Sequence, residues 1–278
     1  MAFLEFHGIG KSFPGVRALE AVSFGVEKGS CHALMGENGA GKSTLGKILA
    51  GVQTADAGRI VLDGREVSPR SPLEARAAGI AMVHQELAFC PNLTVAENLG
   101  LGDLPSAMGW LDRTRLRDRA LAVLREIGAD IDPDVPVGQL GTGREQLVQI
   151  AAAVGTGARV IVMDEPTSSL SVAESENLFR LVGNLRAKGI TLLYVSHRMD
   201  EIFRLCDAIT VLRDGRHVAT QRAREVGPDG LVRQMIGREV VAFSPRHVGQ
   251  ELGEEVLRVA GLASPGKFRD VTFSLRRG

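Results

Sequence analysis

One nine-residue stretch restricts the possible folds of this chain more than any other. Gly36 to Thr44 reads GENGAGKST and has the form G-x-x-x-x-G-K-[ST], the pattern of a phosphate-binding loop. Gly36, Gly39 and Gly41 free the backbone for conformations that a side chain would block. Successive N–H groups can then point inward and form a nest for phosphate oxygens. The helix expected from about Lys42 adds a partial positive charge at its N-terminus. The nucleotide-binding candidates are therefore Gly36, Glu37, Asn38, Gly39, Ala40, Gly41, Lys42, Ser43 and Thr44. Lys42 is placed to reach the β- and γ-phosphates of a nucleoside triphosphate, and the Ser43 hydroxyl to ligate Mg²⁺. The loop needs a strand before it and a helix after it. The apolar run Cys31 to Met35 and the segment Thr44 to Ala50 supply both.

The rest of the chain reads as a framework around that loop. Its 278 residues suffice for one large domain or two smaller ones. Lys plus Arg and Asp plus Glu both number 33, so the charge balance gives no sign of a nucleic-acid partner. The three cysteines are far apart and form no C-x-x-C pair, which fits a reducing cytosol and argues against zinc or a disulfide framework. The N-terminus has no basic region followed by an apolar run, as a secretory signal would, and no stretch is apolar enough to span a membrane.

Short strands are expected at Phe3 to Phe6 and Ala21 to Val26, with Lys11 to Gly15 as a turn carrying Phe13. Ala57-Gly58 reads as a turn, and Arg59 to Val67 as a hairpin closed by Asp63-Gly64. Residues 91–156 change to helical patterning; Arg113 to Ile127 is the most regular case. Strands at Ile80 to Val83, Val160 to Met163, Thr191 to Val195 and Ile209 to Leu212 alternate with helices at Ala173 to Lys188 and Arg198 to Leu205. Such alternation predicts a mostly parallel sheet with ligands at its carboxyl edge. The expected fold class is α/β: a phosphate-loop NTPase with an antiparallel β subdomain and a helical subdomain.

Four polar residues end strands of that sheet: Gln85, Asp164, Glu165 and His197. Asp164 is a candidate Mg²⁺ ligand, with Ser43 and Gln85. Glu165 is a candidate to orient or deprotonate an attacking water. His197 is a candidate contact for the γ-phosphate, and Phe13 for stacking on adenine.

The tail repeats the beginning. AVSFGVEKG at Ala21 to Gly29 returns as DVTFSLRRG at Asp270 to Gly278. Leu4 to Ile9 returns as Leu257 to Leu262, at similar spacing. This reading divides the chain into residues 1–240, a linker at 241–253, and 254–278 as the opening of a second copy. The sequence stops where that copy would start its own phosphate-loop strand.

Together these motifs resemble those of ATP-binding-cassette ATPases over residues 1 to about 240. GENGAGKST resembles the family's Walker A, VHQE its glutamine loop at Gln85, and VIVMDEPT its Walker B, with Glu165 as catalytic carboxylate. Ser169-Leu170-Ser171 resembles its D-loop, and YVSHRMDEIF carries its switch histidine at His197. The resemblance implies ATP with Mg²⁺, with Lys42, Glu165 and His197 as catalytic residues. It implies a dimer of cassettes around the nucleotide and a helical subdomain docked on membrane permease subunits. The place implied is the cytoplasmic face of the membrane, with an extracytoplasmic solute-binding protein as indirect partner. More narrowly, KSFPGVRALEAVSF and SHRMDEIFRLCDAITVLRDG resemble monosaccharide-importer ATPases, which carry two cassettes in one chain. Tandem nucleoside importers and soluble non-transport cassettes are the alternatives. One departure stands out. The family signature reads roughly Leu-Ser-Gly-Gly-Gln, whereas this chain has Leu140-Gly141-Thr142-Gly143-Arg144. The missing serine hydroxyl implies a weakened second site.

Overall fold

The computed structural model describes residues 2–84, 89–107, 109–237 and 253–277. Two compact units divide the chain, Met1–Arg238 and Glu239–Gly278.

The first unit opens on an antiparallel hairpin, β1 (Leu4–Phe13) and β2 (Val16–Val26). Both strands are longer than the sequence pattern predicts. Lys11–Phe13 continue β1 and leave Pro14-Gly15 as the turn, because the pair bulges where alternation breaks, between Phe6 and Ser12. β3 (Cys31–Met35) is buried throughout and feeds the glycine loop and α1 (Lys42–Leu49). Then come β4 (Ala57–Leu62) and β5 (Arg65–Val67). Ala57-Gly58 lie within β4 and not in a turn. Gly58 has φ 85 at a bulge in the β1–β4 pairing. α2 (Pro72–Ala77) is N-capped by Ser71, and β6 (Ile80–Val83) comes next.

Residues 91–156 hold α3 (Val95–Gly100), a two-residue pair β7 (Ser106–Ala107) with β8 (Trp110–Leu111), α4 (Arg113–Glu126) and α5 (Thr142–Gly155). α4 buries Leu116, Ala120 and Leu124, at the i, i+4, i+8 spacing of one helix face. The small β7–β8 pair interrupts the expected all-helical run.

The chain then returns to the sheet with β9 (Val160–Asp164), α6 (Val172–Ala187), β10 (Thr191–Val195), α7 (Met199–Leu205) and β11 (Ala208–Arg213). β12 (Arg216–Arg222) turns back antiparallel on β11, and α8 (Pro228–Ile236) ends the described part of the unit.

Two sheets result. One is antiparallel, in the order β2-β1-β4-β5. The other has the order β12-β11-β3-β10-β9-β6, with β12 its one antiparallel strand. β3, β9 and β10 are buried at every position, as expected of parallel strands covered on both faces. α1 and the antiparallel sheet pack on one face through Leu4, Phe6, Ile9, Leu34, Leu45 and Leu49. The helices α5, α6 and α7 pack with the other set of strand side chains, among them Met163 and Tyr194.

The described residues of the second unit form the hairpin β13 (Glu255–Ser264) and β14 (Phe268–Arg276).

Candidate functional site

Parallel strands deliver the residues at their carboxyl ends to one edge of the sheet. β3 brings the glycine loop there, β9 brings Asp164 and Glu165, and β10 brings His197. The order β3-β10-β9 makes these three strand ends neighbours.

The loop has the backbone that its glycines permit. φ is 85 at Gly39 and 98 at Gly41, and Gly41 caps α1 without any side-chain bond. A Cβ at Gly41 would stand 2.6 Å from the Ala18 carbonyl oxygen on β2, so glycine is required there by space as well as by φ. Lys42 is buried, and its Nζ donates to the carbonyls of Gly36 and Glu37, at 2.9 Å each. Burial lowers the Lys42 pKa, while Glu165 and Asp164 pull the other way.

The Ser43 hydroxyl lies 3.3 Å from Asp164 Oδ1. Asp164 is buried, and that burial raises its pKa against the opposing Ser43 bond. Two hard oxygens, one anionic, are the donor type that Mg²⁺ prefers, so these residues fit the ion. Among the described residues no group of three His, Cys, Asp or Glu side chains forms a further metal cluster.

Glu165 has φ 47, left-handed for a non-glycine residue. Its N–H donates to Val195 O at 2.9 Å, and Ser168 N–H closes the next turn onto Glu165 O at 3.1 Å. The side chain thus turns back toward β10, where Oε1 meets His197 Nδ1 at 3.1 Å. Lys42, Ser43, Asp164, Glu165 and His197 therefore gather at one edge. Phe13 is exposed near the tip of the first hairpin, with Lys11 Nζ 5.6 Å from its ring centroid. The same hairpin lies against Gly41 through Ala18 and Leu19. Gln85 lies outside the described residues.

The segment Leu140 to Arg144 opens α5, with Gly141 as a cap that makes no side-chain bond. Glu174, on the first turn of α6, accepts from Ser171 N–H at 2.9 Å and from the Ser171 hydroxyl at 2.6 Å. A Cβ at Gly143 would meet that carboxylate, and the Glu174 side chain would have to swing aside.

One contact at this edge is invisible in the sequence. Gln149 is buried in α5, and its amide bonds both backbone groups of His84, donating at 3.0 Å and accepting at 3.3 Å. It ties the helical layer to the last described residue before Gln85. In the sequence Gln149 is only a polar residue on an apolar helix, and no local signal marks it.

The sequence profile described as ABC transporter matches residues 19–168. The chain belongs to the ABC transporter family. It is 49% identical over 281 residues to arabinose import ATP-binding protein AraG 1 of Burkholderia cenocepacia, covering 100% of this chain and 55% of that protein. It is 50% identical over 280 residues to arabinose import ATP-binding protein AraG of Rhizobium etli, covering 100% of this chain and 56% of that one. The chain thus spans about half the length of the curated relatives it matches. Among solved structures it resembles a nucleotide-free ATP-binding cassette from an ABC transporter, with TM-score 0.74 and 29% identity over 86% of this chain and 96% of that one. It also resembles an ATP-binding cassette in its ADP conformation, with TM-score 0.74 and 29% identity over 86% of this chain and 100% of that one. The ABC cassette fold accounts for the mixed architecture, with antiparallel sheet, parallel core and helical insertion in one chain. Among the described residues no helix is long and apolar enough to cross a membrane.

Proposed function

We propose that this chain binds and hydrolyses ATP for an importer that carries a sugar through membrane permease subunits. The observation that carries the proposal is the pairing of Glu165 with His197 at the sheet edge that also holds Lys42 and Asp164. The names of the relatives give the cargo class, a monosaccharide such as arabinose.

Residues 36–44 wrap the phosphates, and Lys42 neutralises the β- and γ-oxygens in place of its present carbonyl partners. Ser43 and Asp164 hold Mg²⁺, with Gln85 as a third ligand; the ion supplies charge neutralisation on the phosphates. Glu165 accepts a proton from the attacking water. His197 orients Glu165 and contacts the γ-phosphate, and Phe13 stacks on the base. The chain works at the cytoplasmic face of the membrane, served by an extracytoplasmic solute-binding protein.

We further propose residues 1–240 as a first cassette, 241–253 as a linker and 254–278 as the opening of a second. Support comes from the two hairpins. φ is 62 at Gly8 and 61 at Gly261, and 49 at Ala21 and 52 at Asp270. Gly8 N–H donates to Ser23 Oγ at 2.7 Å, and Gly261 N–H to Thr272 Oγ1 at 3.0 Å. Ile9 pairs with Val22, and Leu262 with Val271. Ile9 and Val22 are buried, whereas Leu262 and Val271 are exposed. In a two-cassette protein the competent site rests on Lys42 and Glu165, and the altered signature at Gly141 serves the weaker one.

The test is purification of the tagged native protein from membranes in mild detergent. A multi-spanning permease should accompany it, and the complex should hydrolyse ATP in a manner abolished by Glu165→Gln. Turnover that survives Glu165→Gln, or a bait without a membrane partner, overturns the reading.

A further inference from the structure

We propose that Glu201 is a positioning residue that locks the turn carrying Glu165 to the turn carrying His197, so that the two side chains are set as one unit. The inference rests on the roles proposed for those two residues in ATP hydrolysis.

Glu201 lies on the first turn of α7 with its side chain 2% exposed. A carboxylate so deeply buried is costly unless donors surround it, and four do. Oε1 accepts from the Thr167 hydroxyl at 2.7 Å and faces Arg198 Nη1 at 3.0 Å. Oε2 accepts from the Tyr194 hydroxyl at 3.0 Å and the Ser196 hydroxyl at 3.2 Å. Thr167, Tyr194 and Ser196 are themselves buried. Burial, then the neighbouring carboxylate, pushes the Tyr194 phenol far above its ordinary range, so Tyr194 remains a donor.

The partners fall into two sets. Thr167 stands two residues after Glu165, in the turn that Ser168 closes onto Glu165 O. Ser196 and Arg198 flank His197, and the Arg198 N–H donates to Ser196 Oγ at 3.0 Å. A single oxygen, Oε1, therefore touches both turns, while Tyr194 anchors the carboxylate to β10. Glu165 needs such support. A non-glycine residue at φ 47 is held only where its surroundings over-determine it. The Thr167 bond to Glu201 fixes the far side of that turn, and the Val195 carbonyl fixes the near side. The same carboxylate then sets the loop from which His197 reaches Glu165.

Two nearly isosteric substitutions each cut one arm, Thr167→Val and Ser196→Ala. Amide hydrogen exchange on the folded chain reads the link directly. Thr167→Val should speed exchange at the Arg198 amide by about threefold or more, although the substitution lies in the other turn. Ser196→Ala should do the same at Ser168. In the native complex each variant should lower kcat about tenfold or more and leave KM for ATP within about twofold. The double variant should lose far less than the product of the two, as partners in one network do. Glu201→Gln, which keeps the shape, should retain more kcat than Glu201→Leu. Exchange that changes only in the substituted turn, or losses of kcat that multiply, overturns the inference. Wild-type turnover that is insensitive to Glu165→Gln overturns the functional reading instead, and the exchange result stands apart from it.

Discussion

His197 Nδ1 lies 3.1 Å from Glu165 Oε1, across the ends of adjacent parallel strands. The Glu165 side chain is 21% exposed and that of His197 58%, so the more sheltered carboxylate is bonded by a ring that itself faces outward. Glu165→Gln keeps the shape of this pair and removes the proposed proton acceptor. The expected loss in kcat is about 10²- to 10⁴-fold, the usual range for a general base. ATP affinity should stay within about threefold, as read by equilibrium binding. A loss confined to affinity would show that Glu165 binds but does not catalyse.

Lys42 should behave in the opposite way. Its ammonium is buried and held by two loop carbonyls, and a phosphate would replace those partners with charge-assisted bonds. Each such bond contributes about 1.5–3 kcal/mol. Lys42→Ala should therefore weaken ATP binding at least about tenfold, measured by titration calorimetry. The loop should keep its shape, because its φ values come from Gly39 and Gly41.

His32 makes acid stability a test of burial. It is buried in β3, its Nε2 is 2.7 Å from Thr210 Oγ1, and burial pushes its pKa down to about 4. Below the ordinary value of 6.5 the unfolded chain takes up a proton that the fold resists. This contribution to stability is complete above pH 6.5 and is lost as pH falls toward about 4. Between pH 7.5 and 5 the loss amounts to about 2 kcal/mol. Urea unfolding at the two pH values should show that extra loss in the wild type and not in His32→Asn.

The bulge in the first hairpin carries strain that glycine would release. Ala21 has φ 49, and the left-handed region costs an L-residue roughly 1–2 kcal/mol. Part of that gain is offset by the greater freedom of glycine in the unfolded chain. Ala21→Gly should thus stabilise the protein by up to about 1 kcal/mol, seen as a higher thermal midpoint. A lower midpoint would mean that the Ala21 methyl contributes packing that outweighs the strain.

The elements legible in the sequence are those whose local chemistry suffices. β3, β9 and β10 stand out as short apolar runs, and the residues at their carboxyl ends are the candidate set. β12 escapes a reading by pattern because RHVATQR is a polar edge strand with mostly exposed residues, and its pairing comes from the Asp214-Gly215 turn and from β11. The β7–β8 pair escapes it because two residues a side leave no period to read. Lys11–Phe13 look like a turn because the bulges in β1 break the alternation that marks a strand.

The sequence by itself determined the phosphate loop, the order of polar residues after apolar runs, and the likeness of the first and last stretches that matches Gly8 with Gly261 and Ala21 with Asp270. These are local patterns, set by glycine φ, side-chain periodicity and short spacings. Only the tertiary structure decided which distant groups meet. His197 finds Glu165 because β10 lies beside β9, and Gln149 finds His84 because α5 packs near the end of β6. Glu201 gathers Thr167, Tyr194, Ser196 and Arg198 from both sides of the sheet edge. A buried carboxylate has no signature along the chain, because what makes its burial tolerable is donors supplied by residues that only the fold brings near.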